Sequence, residues 1–217
     1  TIGYRHNSII QQSFLFFMPT RWYSEKKHEH YYKQAKKTGY RARSAFKLKQ
    51  INQKFKVLKK GDNVLDLGAA PGGWSQVAKE IIGNNGKLIG VDLLPIRRID
   101  NVIFLEEDMR ETETISKIKE ILDEEKIDTV ISDMSPDISG NYDIDQARSI
   151  YLCTKAFETA ELFLKNNGNF VCKVFEGSDF NDFIEELKPR FNSIKRFHPK
   201  ASRKSSSEIY IISKGFK

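Results

Sequence analysis

The stretch Asn63 to Trp74, reading N-V-L-D-L-G-A-A-P-G-G-W, constrains this chain more than any other. Val64, Leu65 and Leu67 form a short apolar run that ends in small residues, and a helical pattern begins near Trp74. A strand that enters a glycine turn and then a helix is the nucleotide-binding corner of an open α/β sheet. Glycines matter at such a corner because a backbone without Cβ lets a cofactor lie directly against the chain.

Two cofactors use corners of this kind. A dinucleotide site needs G-x-G-x-x-G, with peptide N–H groups aimed at a pyrophosphate. Here Ala69, Ala70 and Pro71 separate Gly68 from Gly72, so the spacing differs, and Pro71 removes one N–H. Asp66 adds a carboxylate just before the turn, which suits a cation better than a diphosphate. The residues therefore favour S-adenosylmethionine, a sulfonium and ammonium carrier without phosphate, over NAD.

Charge distribution gives the second constraint. Residues 21 to 60 hold 14 Lys or Arg against two acids, and residues 195 to 204 hold five bases and no acid. Between them, from Gly61 to Ile194, acids outnumber bases 26 to 14. An acidic body flanked by two basic segments is the pattern of a polyanion binder, here a nucleic acid. Cys153 and Cys172 lie in apolar periodic segments and read as buried thiols of a reducing compartment, so a cytoplasmic protein is expected. The apolar run at Phe14 to Met18 is far shorter than the roughly 20 residues of a spanning helix, and no membrane association is expected. Residues 1–20 read as an extension, disordered or non-native, with Met18 as the natural start. Residues 21–217 read as one domain with a basic helical segment at 21–60.

Helices are expected at Tyr31 to Lys37 and Ser44 to Phe55, the second burying Ala45, Leu48, Ile51 and Phe55. Arg41, Arg43 and Lys47 lie in or beside it, with Lys47 near the buried boundary. After the glycine turn, a helix runs to Ile82 and a strand from Lys87 to Asp92, an acid placed to bind ribose hydroxyls. A third strand, Val102 to Leu105, leads to Glu106, Glu107, Asp108 and Met109, where an acid suits an adenine amino group and the methionine its ring, unless the stretch is simply a solvated acidic loop. The strand Ile127 to Ser132 ends in Asp133, at the edge where open sheets bind ligands. A long helix follows, closed by Gly168.

The next strand, Asn169 to Phe175, carries Lys173 inside an apolar run. Parallel strands are buried on both faces, and an unpaired ammonium there costs several kcal/mol. Lys173 is therefore expected to point among carboxylates at the site. A helix from Phe180 to Phe191 and a strand from Ser193 to Phe197 follow, and then a basic loop with Arg203 and Lys204, suited to phosphates. If the last strand, starting at Glu208, runs antiparallel, Glu208 joins Asp133 and Lys173.

With these residues in place the chain resembles the FtsJ family of RNA 2′-O-ribose methyltransferases, in wording close to archaeal and bacterial members. The resemblance runs from about Trp22 onward, through S-A-F-K-L (44–48), D-L-G-A-A-P-G-G-W (66–74), S-D-M-S-P (132–136), V-C-K-V-F-E-G (171–177) and S-R-K-S-S-S-E-I-Y (202–210). It implies a class I S-adenosylmethionine-dependent methyltransferase fold, Rossmann-like. The sheet would have seven strands, mostly parallel with the last antiparallel, and helices on both faces. It implies a catalytic tetrad at Lys47, Asp133, Lys173 and Glu208, and cofactor contacts at Gly72, Trp74, Asp92, Asp108 and Asp133. Asp66, Gly68 and Met109 join the cofactor set from the reading of the turn and of the third strand. RNA contacts are expected at Arg41, Arg43, Lys47, Arg203 and Lys204, and no metal.

The implied substrate is a ribose, that of a uridine, in large-subunit ribosomal RNA, within the large ribosomal subunit, with the enzyme acting as a monomer. Relatives that act on transfer RNA anticodon loops, and a non-catalytic RNA-binding assembly factor on the same fold, stay as alternatives. In the expected reaction Lys173 takes the proton of the attacking hydroxyl, Asp133 and Glu208 hold that lysine, and Lys47 orients the ribose or its phosphate.

Overall fold

The structure, a computed structural model, describes residues 30–202 and 207–217. The expected extension at 1–20, and Arg203 and Lys204, lie outside the described residues. In chain order the elements are α1 (30–38), α2 (Ala45–Phe55), β1 (Val64–Leu67), α3 (Gly73–Ile82), β2 (Leu88–Asp92), β3 (Ile103–Glu106), α4 (Thr112–Leu122), β4 (Ile127–Ser132), α5 (Tyr142–Phe163), β5 (Leu164–Phe175), α6 (Phe180–Leu187), β6 (Phe191–Phe197) and β7 (Glu208–Phe216).

All seven strands join one sheet in the order β3-β2-β1-β4-β5-β7-β6. β7 runs antiparallel between β5 and β6, and the others are parallel. Apolar faces of α2 and α3 cover one side of the sheet, burying Ala45, Leu48, Ile51, Trp74 and Val77 with Ile131, Val171 and Tyr210. Helices α4, α5 and α6 cover the other side, where Ile118, Phe157, Phe170 and Phe183 meet. This is the class I methyltransferase layout that the motifs imply. From β1 the chain winds outward through β2 and β3, and from β4 it winds the opposite way. The crevice at the carboxyl ends of β1 and β4 is therefore the topological switch point where open sheets bind ligands.

Three boundaries differ from the sequence reading. Gly168 does not close α5: the helix ends at Phe163 and β5 begins at Leu164, so Gly168 lies within the strand. A Cβ there would approach the backbone oxygens of Lys165 and Asp128 at 2.8 and 3.1 Å, which explains the glycine by tight strand packing. Helix α6 stops at Leu187, two residues before Pro189, because a proline cannot continue the hydrogen-bonded ladder. Phe191 accordingly belongs to β6, buried in the α5–α6 core. At the start of α5, Asn141 accepts hydrogen bonds from the N–H groups of Asp143 and Ile144, and acids in the first turn complement the helix dipole.

Candidate active site

The glycine turn is shaped by two left-handed residues, Gly68 at φ 73° and Gly72 at φ 102°, with a cis peptide between Ala70 and Pro71. A Cβ on Gly68 would stand 2.2 Å from the Met134 side chain, so only glycine lets the ends of β1 and β4 come this close. Beside it opens a cavity of about 410 Å³, lined by Gly68, Ala70, Asp92, Asp108, Met109 and Asp133 among others. Asp92, at the end of β2, accepts the N–H groups of Ala70 and Leu94, and so ties the glycine turn to the loop after β2. Arg110 hydrogen-bonds Asp108 and holds its carboxyl below the usual carboxylate range.

Asp66 is fully buried beneath this cavity in β1 and accepts the Ser75 hydroxyl at 2.6 Å. Burial raises its carboxyl to about 7, against the Ser75 hydrogen bond and with the help of Asp133 and Asp92. Its other oxygen, Oδ1, has no hydrogen-bond partner. The carboxylates of Asp92, Glu107, Asp108 and Asp133 around one cavity, with the guanidinium of Arg110 engaged by Asp108, form a donor set for a cation. The same set repels a pyrophosphate. The residues fit the sulfonium and ammonium of S-adenosylmethionine and do not fit a dinucleotide.

The sequence reading placed two further residues here that the cavity does not include. Trp74 is buried on the α2 side, where its indole N–H donates to the Ser44 carbonyl and its ring stacks on Tyr210 at 5.7 Å. Gly72 faces Arg41, whose Nη1 would lie 2.6 Å from a Cβ at that position. Both are side-chain placements: an indole this apolar gains more from the core than from a charged site, and Gly72 serves the turn geometry.

Next to the cavity, the four expected catalytic residues meet as two ion pairs. The Lys47 ammonium lies 2.5 Å from Glu208 Oε1, and that of Lys173 lies 3.3 Å from Asp133 Oδ1 and donates to the Asp133 carbonyl at 2.7 Å. Lys47 and Lys173 are 5% and 7% exposed, so both ammonium groups are buried with their counter-charges. The sheet register produces this convergence. Lys173 sits directly opposite Tyr210 across β5 and β7, and Glu208 is two residues from Tyr210, hence on the same face. That face looks toward α2, which supplies Lys47. From the opposite face the Cys153 thiol donates to the Lys173 carbonyl at 2.9 Å and anchors the strand.

Burial alone would raise the Glu208 carboxyl, but Lys47, with Ser202 and Lys173, outweighs it and holds it below the usual range. Tyr210 was missed by sequence reasoning. It is fully buried, and its hydroxyl donates to Asp133 Oδ1 at 2.6 Å. Burial first, then the Asp133 and Glu208 carboxylates, push its phenol well above the ordinary value. The available signal was the period-two spacing of E-I-Y, which puts an acid and a phenol on one strand face.

The two expected RNA-binding arginines among the described residues, Arg41 and Arg43, take different places. Arg41 donates to the carbonyls of Pro71, Arg97 and Arg98, so its guanidinium clamps the glycine turn to the loop after β2 instead of facing outward for phosphate. The reason is local supply: the two loops present carbonyls side by side, which a five-donor fork satisfies well. Arg43 is half-buried at the α2 start, and its charge is felt at Tyr210.

Comparison with known proteins gives a consistent placement. The profile of the FtsJ-like methyltransferase family matches residues 40–216. A ribosomal RNA large subunit methyltransferase E from Methanocaldococcus jannaschii is 50% identical over 200 residues, covering 90% of this chain and 82% of that protein. One of the same name from Coxiella burnetii is 46% identical over 200 residues, covering 90% and 94%. A crystal structure described as a ribosomal RNA methyltransferase from Plasmodium falciparum superposes with a TM-score of 0.75 at 32% identity, covering 82% of this chain and 98% of that one.

Proposed function

The chain belongs to the FtsJ-like methyltransferase family, and on that premise we propose that it methylates a ribose 2′-hydroxyl, that of a uridine, in large-subunit ribosomal RNA. The observation that carries this reading is the meeting of Lys47, Asp133, Lys173 and Glu208 in two buried ion pairs beside a carboxylate-lined cavity. S-adenosylmethionine, the family's cofactor, supplies an electrophilic methyl carbon on a sulfonium. Asp92, Asp108 and Asp133, with Asp66 below, are the residues that would hold it.

The chain's own part in the reaction follows from the geometry. A ribose hydroxyl is a weak nucleophile until its proton is being removed, so a fixed base is needed. Lys173 is assigned as that base. Its position is set by Asp133 through both carboxylate and carbonyl, and by Cys153 behind the strand. Tyr210 shares the Asp133 carboxylate and fixes its orientation. Lys47, braced by Glu208, offers a cation to the ribose or its phosphate. Closely held groups of this kind contribute much of the rate by positioning.

The protein acts, in this reading, as a monomer in the cytoplasm on RNA of the large subunit. Among the described residues no helix is long and apolar enough to cross a membrane. The test is to map ribose methylation across ribosomal and transfer RNA from cells lacking the protein. Loss of one methyl in large-subunit RNA, restored by the purified protein with S-adenosylmethionine, is the expected result. Loss confined to transfer RNA, or no loss at all, would replace this reading with one of its alternatives.

A further inference from the structure

Several cations on the α5–α6 side of this protein are held by neighbouring acids, as in Lys155–Glu158, Lys188–Glu185 and Arg190–Glu161. At the opposite corner, where α2 meets the edge strand β6, Lys54, Lys195 and Lys200 are exposed and none forms an ion pair among the described residues. Lys54 instead stands 4.7 Å over the Phe197 ring and 5.3 Å over Phe55, which themselves pack edge to face. Aromatic faces fix the ammonium in place without cancelling its charge, so a second, anionic partner still gains the full attraction.

The register ties this corner to the catalytic lysine. Lys173 pairs with Tyr210 on β7, and Tyr210 pairs with Phe197 on β6. The three residues form one row across the sheet, which puts Phe197 two strand spacings, about 10 Å, from Lys173. Lys195 shares the strand face of Phe197. Lys200 lies in the turn whose Ala201 N–H donates to Gln50 of α2, one helical turn before Lys54. The cations therefore gather around Phe197, one strand beyond Tyr210 in the row that starts at Lys173. A spacing of this size suits the backbone of a nucleotide adjoining the one being methylated.

We infer that Lys54, seated on Phe197 and supported by Lys195 and Lys200, is a docking site for the phosphate of a nucleotide flanking the target ribose, so that the RNA leaves the catalytic pocket across the β6 edge. The inference rests on the ribosomal RNA reading above. It assigns the contact to the end of α2 and not to Arg41, which the fold has already engaged.

The test uses the full chain and ribosomal particles from cells lacking the protein. Methyl transfer is measured for the parent, Lys54→Glu, Lys54→Arg and, as a control on the opposite side, Lys188→Glu. Lys54→Glu should raise KM for the particle about tenfold and lower the slope of log KM against log salt by about 1. Its kcat at saturating RNA and its cofactor affinity should stay at the parent's level, and Lys54→Arg should behave as the parent does. A Lys54→Glu protein with the parent's KM and salt slope, or one no different from Lys188→Glu, would overturn the assignment. A parent that transfers no methyl to the particles would instead overturn the ribosomal RNA reading beneath it.

Discussion

Lys173 and Tyr210 stand opposite each other on neighbouring antiparallel strands, and both reach the same carboxylate, that of Asp133. One acid thus fixes a lysine and a phenol at once, although the lysine and the phenol lie on β5 and β7 and the acid just beyond β4. Asp133 also lines the carboxylate-rich cavity, while Lys173 does not.

Replacing Lys173 with Ala should lower single-turnover methyl transfer by about a thousandfold, within the range of a positioned general base. Cofactor affinity, measured by titration calorimetry, should change only a few-fold. Transfer near the parent's rate would remove Lys173 from its assigned role.

Tyr210→Phe keeps the ring stacked on Trp74 and deletes only the hydroxyl that donates to Asp133. The loss of a hydrogen bond to a charged group should cost about 2 kcal/mol of stability. Tyr210→Ala, which also opens a cavity in the core, should cost about 4 kcal/mol. A Tyr210→Phe protein as stable as the parent in denaturant titrations would show that the hydroxyl contributes nothing.

The Glu208 carboxyl is held below its ordinary range in the folded state, chiefly against burial and by Lys47. Its contribution is therefore complete above the unfolded glutamate value of about 4.3 and is lost as pH falls through the lower folded value. Glu208→Gln leaves the buried Lys47 ammonium without its counter-charge and should cost about 3 kcal/mol at pH 7. Melting curves recorded toward strong acid should show parent and variant converging.

Asp66 titrates in the opposite sense. Its folded value, about 7, lies above that of an unfolded aspartate, so native protein binds the extra proton and stability falls as pH rises from about 4 to about 7. Asp66→Asn removes the buried charge and should melt higher than the parent at pH 8, with the gain vanishing near pH 4. A constant difference across that window would mean that the carboxyl titrates normally.

Arg41→Ala should loosen the loop after β2 by freeing three carbonyls. The expected outcome is weaker cofactor binding, by about tenfold, with the salt dependence of RNA binding unchanged, since no phosphate contact is removed. A drop in salt slope would instead return Arg41 to the RNA surface.

Much of the site was readable because its residues violate local expectation. A lysine in the middle of V-C-K-V-F, and an acid at the end of each of β1, β2 and β4 in its own sequence context, are costly unless they meet partners. Their number and placement pointed to one rim. What the sequence hid depends on three-dimensional supply. The fate of Arg41 was set by carbonyls from two loops up to 57 residues away. The burial of the Trp74 indole depends on the depth of the α2–α3 core. Tyr210 looked like an ordinary strand aromatic because its partner, Asp133, lies 77 residues earlier. Gly168 misled for a different reason: a glycine after an amphipathic stretch usually marks a helix end, but here it relieves crowding between β4 and β5.

The reversed direction of β7 has a bearing on when the protein first becomes competent. Every cofactor-lining carboxylate precedes it in the chain, yet Glu208 and Tyr210 reach the rim only once this strand has slid between β5 and β6. During synthesis, a chain still tethered at its growing end could present the donor crevice while lacking half of the acceptor machinery.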